Sequence, residues 1–170
     1  MNWNFSIKFG CALSLVAIVK ILVSTYLIPN SSAVSFLFFL IELAVLILGL
    51  RTYKRATTDR VFTFGCGMET VSIAYLISSF VSAISSVLIF QFDTELMNKS
   101  INQIREMLAT AGLKGEEAQV AYKTAATMLE PIPMFITQFL GALIGGLVVG
   151  AIVMAFMREK ETIENVKTTD

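Results

Sequence analysis

Histidine is absent from this sequence, and charged residues are scarce. Only 15% of the residues are Asp, Glu, Lys or Arg, and their charges sum to zero at pH 7. Without histidine, the chain lacks the commonest acid/base group at neutral pH and the commonest transition-metal ligand. A net charge of zero gives no electrostatic attraction for nucleic acid. We therefore expect no metal, no cofactor and no nucleic-acid partner.

Cysteine is also rare, with Cys11 and Cys66 as the two thiols. Two cysteines cannot build a disulfide framework, and two thiols without histidine make a poor zinc site. Serine is frequent in the third apolar segment, but no histidine exists to activate a serine as a nucleophile. We predict that the protein is not an enzyme and has no catalytic residue.

Apolar residues are abundant: they make up 55% of the chain, and the mean hydropathy is +0.73. A helix needs about 20 apolar residues to cross the hydrocarbon layer of a bilayer. Four segments meet this requirement, at approximately 9–28, 33–50, 68–92 and 133–157. The composition predicts an all-α fold, an integral membrane four-helix bundle forming a single membrane domain over residues 1–170, with the lipid bilayer as its surroundings.

The distribution of lysine and arginine predicts the orientation in the membrane. The loop 51–60 contains Arg51, Lys54, Arg55 and Arg60 but one acid, whereas the turn after the first span has no charge. Basic loops stay preferentially on the cytoplasmic side. We expect loop 51–60, the N terminus and the tail 158–170 to be cytoplasmic, which leaves the segment between the third and fourth spans outside.

The outer segment, residues 94–129, has the pattern of an amphipathic helical hairpin. Asp93 or Thr94 can cap the first helix, Gly112 can end it, and Glu116 and Glu117 suit the first turn of the second helix. The apolar residues of the first helix recur at helical spacing: Met97, Ile101, Ile104 and Leu108. The two apolar faces pack on each other or on the membrane surface, or they form a lid or docking surface for a partner.

Two charged residues, Lys20 and Glu42, lie inside predicted spans. Both are roughly 12 to 14 Å below the outer ends of their spans, at a rise of 1.5 Å per residue. Because charges inside a bilayer usually pair or mark a functional path, we predict an intramembrane ion pair. Such a pair either holds the first two helices together or couples protons or substrate. If they do not pair, the lysine extends to the surface or the glutamate meets another helix or subunit.

Small and polar residues provide two further candidate features. In the fourth span, Gly141 with Gly145 and Gly146 with Gly150 repeat the small-xxx-small spacing that lets membrane helices pack closely, either within one subunit or across a homodimer. A candidate polar cleft facing outward comprises three residues near the outer ends of the third and fourth spans: Gln91, Glu130 and Gln138.

The order of these segments resembles a family of bacterial membrane proteins, domain of unknown function 4199 (DUF4199), found chiefly in Bacteroidota. The resemblance rests on the "MNW" start, the short first hairpin, "FTFGCGMETV" at the third span, "EMLATAGLKGEEAQ" in the outer hairpin and the glycine-rich last span. It covers nearly the whole chain. It implies a four-helix protein of the bacterial cytoplasmic (inner) membrane, and it supplies no activity and no functional residue.

Two functions of different class fit this sequence. The first is a non-enzymatic accessory or scaffold that acts with a membrane partner, because the chain has few polar groups for chemistry. The alternative is a small transporter or lipid-linked sugar flippase that works as an oligomer, for which Lys20 and Glu42 would line an accessible cleft. The partner is a second copy of the chain or another membrane protein.

Overall fold

The structure is a computed structural model that describes residues 3–28, 31–56, 62–112 and 115–157. The described residues form helices and contain no strand. Helix α1 spans Trp3–Leu22 and continues as a π-helical segment, Val23–Leu27. The other helices are α2 (Ser32–Ala56), α3 (Phe64–Phe92), α4 (Thr94–Thr110), α5 (Gly115–Thr127) and α6 (Pro131–Met157).

Four of these helices, α1, α2, α3 and α6, are long and apolar enough to cross a membrane, as predicted. They extend past the predicted spans at several ends. Helix α2, for example, continues through Arg51 to Ala56. A span predicted from hydropathy ends at the first cluster of charged residues. The helix itself can be longer, because its backbone hydrogen bonds continue through charged residues. The predicted tail 158–170 and part of the basic loop 51–60 lie outside the described residues.

Side-chain oxygens and a proline define several helix starts. The Asp93 carboxylate accepts hydrogen bonds from the backbone N–H groups of Glu95 and Leu96, both at 3.1 Å, and thereby caps α4. The Thr63 hydroxyl accepts from the Cys66 N–H at 3.3 Å at the start of α3. Helix α6 begins at Pro131, where a missing N–H costs nothing because first-turn N–H groups have no partner within the helix.

The chain divides into two compact units. The first unit comprises residues 1–78 and 143–170. Its buried core takes side chains from all four long helices and from Phe62, which precedes α3. The core residues are Phe9, Leu13, Leu46, Leu50, Tyr53, Phe62, Val71, Ala74, Tyr75, Val153 and Met154.

Glycines let the helices of the first unit approach closely. A methyl group added at Gly49 would overlap the Phe9 ring, and one added at Gly67 would overlap the Met154 side chain. Close approach maximises van der Waals contact, which drives helix association where lipid removes the hydrophobic advantage. In the core of this unit, glycines on one helix therefore pack against large side chains on another.

The second unit comprises residues 79–142. Phe80 of α3 meets Phe135 and Phe139 of α6 edge-on, at ring centroid distances of 5.7 and 6.4 Å. In the same unit, α4 and α5 contact each other. The Arg105 guanidinium of α4 lies 5.4 Å from the centre of the Tyr122 ring of α5, in a cation–π arrangement.

Candidate functional site

Glu42 is half-buried in α2, where it interrupts an otherwise apolar stretch. Its carboxylate accepts a hydrogen bond from the hydroxyl of Tyr75 on α3, in the same unit. A hydrogen bond to an ionised acceptor is stronger than one between neutral groups. Glu42 and Tyr75 therefore form a polar link between α2 and α3 within the spans.

The position of Tyr75 is fixed by its packing. The side chain is 3% exposed, and its ring occupies the space beside Gly146 of α6, where an added methyl group would overlap the ring. Gly146 therefore allows α6 to approach α3 closely enough to hold the ring, while the hydroxyl at the end of the ring reaches Glu42. Three helices, α2, α3 and α6, meet at this one residue.

Sequence reasoning missed Tyr75. An aromatic residue in an apolar helix has the same local pattern whether it fills the core or carries a hydrogen bond to another helix. The available signal was Glu42 itself, because a carboxylate in a span requires a donor. The carboxylate of Glu42 predicts that a hydrogen-bond donor lies nearby, but it does not identify which residue of the chain supplies that donor.

Lys20 is half-buried near the end of α1, three residues before the π-helical segment Val23–Leu27 begins. The predicted ion pair between Lys20 and Glu42 stays a prediction. It is compatible with the Tyr75 hydrogen bond, because a carboxylate has two oxygens and accepts several hydrogen bonds. Short π-helical segments are frequent at functional sites. This end of α1 is therefore a second candidate site within the spans.

The two glycine pairs of α6 have different surroundings. In the first unit, Gly146 packs on Tyr75 and Gly150 packs on Val71, both from α3. A methyl group added at Gly141 or Gly145 would meet no atom within 4 Å. Helix packing within the chain therefore uses the second pair, whereas the first pair is exposed on α6.

The three residues of the predicted polar cleft are exposed. Gln91 lies in the last turn of α3, Glu130 immediately precedes α6, and Gln138 lies in α6. The backbone carbonyl of Glu130 accepts a hydrogen bond from the Met134 N–H at 3.0 Å, which places Glu130 at the helix start. Their association in a cleft stays a prediction.

The thiols are separate from this polar link. Cys11 is exposed on α1, and Cys66 is half-buried with its sulfur 3.7 Å from the Tyr53 hydroxyl oxygen. Among residues 3–28, 31–56, 62–112 and 115–157, no three Cys, Asp or Glu side chains gather as a metal site would require. The site is therefore composed of Glu42, Tyr75 and Gly146, with Lys20 as its predicted cationic neighbour.

Four long apolar helices and a charged residue hydrogen-bonded between two of them define the class of this chain as a membrane protein. Residues 5–159 match the sequence model of a family described as protein of unknown function (DUF4199), and the chain belongs to that family. The resemblance inferred from the sequence is thus confirmed. No protein with a curated description matches the chain, and no solved structure matches it.

Proposed function

We propose that this protein is a non-enzymatic scaffold of the bacterial cytoplasmic membrane that acts with a second membrane protein. In this proposal the chain crosses the bilayer four times as a bundle, with both termini in the cytoplasm. Helices α4 and α5 then form a hairpin on the outer side. The distribution of basic residues supports this orientation, because Arg51, Lys54 and Arg55 follow the apolar part of α2.

The observation that carries the proposal is the use of Glu42 in helix packing. A transport path needs a charged group that can meet solvent or substrate. Here the carboxylate accepts from Tyr75, and the Tyr75 ring is enclosed against Gly146. This arrangement supports a structural role for the charge, because moving the carboxylate away would leave the buried Tyr75 hydroxyl without its acceptor.

Helices α4 and α5 supply a surface on which the partner can dock. Their apolar residues at helical spacing, such as Ile101, Ile104 and Leu108, are half-buried, whereas Met107 is 64% exposed. A groove of about 660 Å³ runs beside this exposed face of α4. Its lining residues are Gln103, Glu106, Met107, Thr110 and Ala111. Amide, carboxylate and thioether groups on one surface suit contact with another protein.

The experiment is site-specific photo-crosslinking in cells of the native organism, with a photoreactive amino acid at Met107. A matched control carries it at Lys123, an exposed residue of α5 that does not line the groove. We expect Met107 to crosslink to one defined membrane protein and Lys123 to do so far less. Equal crosslinking from both positions, or crosslinks to lipid alone, would contradict the scaffold proposal.

The second candidate function is an oligomeric transporter or lipid-linked sugar flippase, and the π-helical segment beside Lys20 is the observation that favours it. The discriminating measurement places a single cysteine at Phe38, one helical turn from Glu42 on the same face of α2, in a chain whose Cys11 and Cys66 are serine, and then applies a membrane-impermeant thiol reagent. The scaffold predicts no labelling in intact membranes. Rapid labelling would show a water-accessible path and would favour transport.

A further inference from the structure

One end of the first unit gathers the ends of several helices around an aromatic cluster. The Phe5 ring of α1 lies 5.2 Å from the Tyr53 ring of α2, measured between centroids. Tyr53 in turn lies 6.2 Å from Phe62, which precedes α3. These contacts hold the start of α1 against the last turns of α2. The single tryptophan of the chain, Trp3, is at the same helix start and is 59% exposed.

Basic residues lie at the same helix ends as this cluster. Lys54 places its ammonium 5.9 Å from the centre of the Phe62 ring, and Arg51, Arg55 and Lys8 are exposed. The described residues of these helix ends, 3–9, 51–56 and 62–69, hold four cations and one acid, the exposed Glu69. The end of the unit is therefore cationic.

Two of these cations, Arg51 and Arg55, continue the exposed apolar stripe of α2. A helix turns about 100° per residue, so residues three and four apart lie on one face. Leu37, Ile41 and Leu48 are exposed on that face, and the arginines follow them one and two turns later. Since the exposed apolar surface of a membrane helix faces acyl chains, the arginines that follow it lie at the level of the lipid headgroups.

We propose that Arg51 and Arg55 form a binding surface for an anionic phospholipid, whose acyl chains lie along Leu48 and Ile41. Each guanidinium offers a planar fork of donors that matches phosphate oxygens. The spacing of one helical turn allows both arginines to reach a single headgroup or two adjacent ones. The orientation of the chain in the membrane requires only that these two arginines stay on the cytoplasmic side. The proposal requires in addition that they select a lipid, and it is independent of the scaffold function.

The test places a reporter tryptophan at Leu48, which is 61% exposed and lies one turn before Arg51, in a full-length chain whose Trp3 is phenylalanine. This chain is the reference for the variants below, and it is reconstituted in vesicles of phosphatidylcholine and phosphatidylglycerol. Bromine atoms on the acyl chains of one lipid quench tryptophan fluorescence on contact. The quenching by brominated phosphatidylglycerol is compared with that by brominated phosphatidylcholine at the same mole fraction. We expect stronger quenching by the anionic lipid, up to roughly fivefold enrichment for each arginine near an anionic surface. Equal quenching by the two lipids would overturn the proposal.

The double variant R51A/R55A is expected to abolish the preference, whereas R51K/R55K, which keeps the charges, retains a part of it. The matched control, K99A/K123A, removes two exposed cations of α4 and α5 and should keep the preference of the reference chain. High salt should weaken the preference of the reference chain, which tests the electrostatic origin without a further substitution. A preference that persists in R51A/R55A, or that is insensitive to salt, contradicts a site at these arginines.

Discussion

The hydrogen bond between Tyr75 and Glu42 makes a quantitative prediction. Replacing Tyr75 with phenylalanine keeps the ring against Gly146 and removes only the hydroxyl that donates to Glu42. Replacing Glu42 with leucine removes the acceptor and keeps a side chain of similar size. Because both changes act on one interaction, their effects on the free energy of unfolding should not add.

The expected size of this coupling follows from two measured ranges. Hydrogen bonds to charged groups contribute about 1.5 to 3 kcal/mol in soluble proteins. Interhelical hydrogen bonds in a membrane protein average about 0.6 kcal/mol and reach about 1.7 kcal/mol. Tyr75 is 3% exposed and its acceptor carries a charge, so we expect a value towards the upper end of the membrane range. Our prediction is a coupling free energy of about 1 to 1.7 kcal/mol.

The assay is a double-mutant cycle on the full-length chain, unfolded by SDS in mixed micelles and followed by circular dichroism. The control cycle pairs Y75F with E69L. Glu69 is exposed on the same helix, about 9 Å along the axis from Tyr75 at 1.5 Å per residue. The control substitutions should add to within about 0.5 kcal/mol. A Tyr75–Glu42 coupling no larger than that of the control would refute the proposed link between α2 and α3.

Two further predictions concern helix packing and capping. Gly146→Ala puts a methyl group into the space of the Tyr75 ring and should destabilise the fold by about 1 to 3 kcal/mol. At Gly145 the added methyl group meets no atom within 4 Å, so Gly145→Ala should leave the SDS unfolding midpoint near that of the wild type. Equal loss in both variants would contradict the packing described. Asp93→Ala removes the cap of α4 and should cost about 1 kcal/mol locally, seen as faster amide hydrogen exchange at Glu95 and Leu96, while unchanged exchange there would show that the cap has no effect.

The membrane helices could be predicted from the sequence because their signal is local and strong. A span must satisfy all its backbone hydrogen bonds within lipid, so a long apolar run predicts a helix directly. The cap at Asp93 and the turn at Gly112, whose φ of 73° lies in the left-handed region, also follow from local chemistry. These features depend on neighbouring residues in the chain.

The partners of buried groups could not be predicted in the same way. Helical spacing identified two glycine pairs on α6, but both pairs have the same spacing, and only packing distinguishes Gly146 from Gly145. The donor to Glu42 was missed because Tyr75 is distant in the sequence and sits in an apolar helix. Gly49, which admits the Phe9 ring, belongs to no repeat and gave no signal. Contacts between helices depend on the rotation of each helix, which hydropathy does not determine.

The central claim is that the intramembrane charges hold the helices together. It is tested most directly by the folded yield, in mild detergent, of Lys20→Ala, Glu42→Gln and the exchange of Lys20→Glu with Glu42→Lys. We predict that each single substitution lowers the folded yield and that the exchange restores a part of it, because it keeps one charge of each sign at the two positions but removes the carboxylate that accepts from Tyr75. Wild-type yield from both single variants would contradict a structural role for these charges.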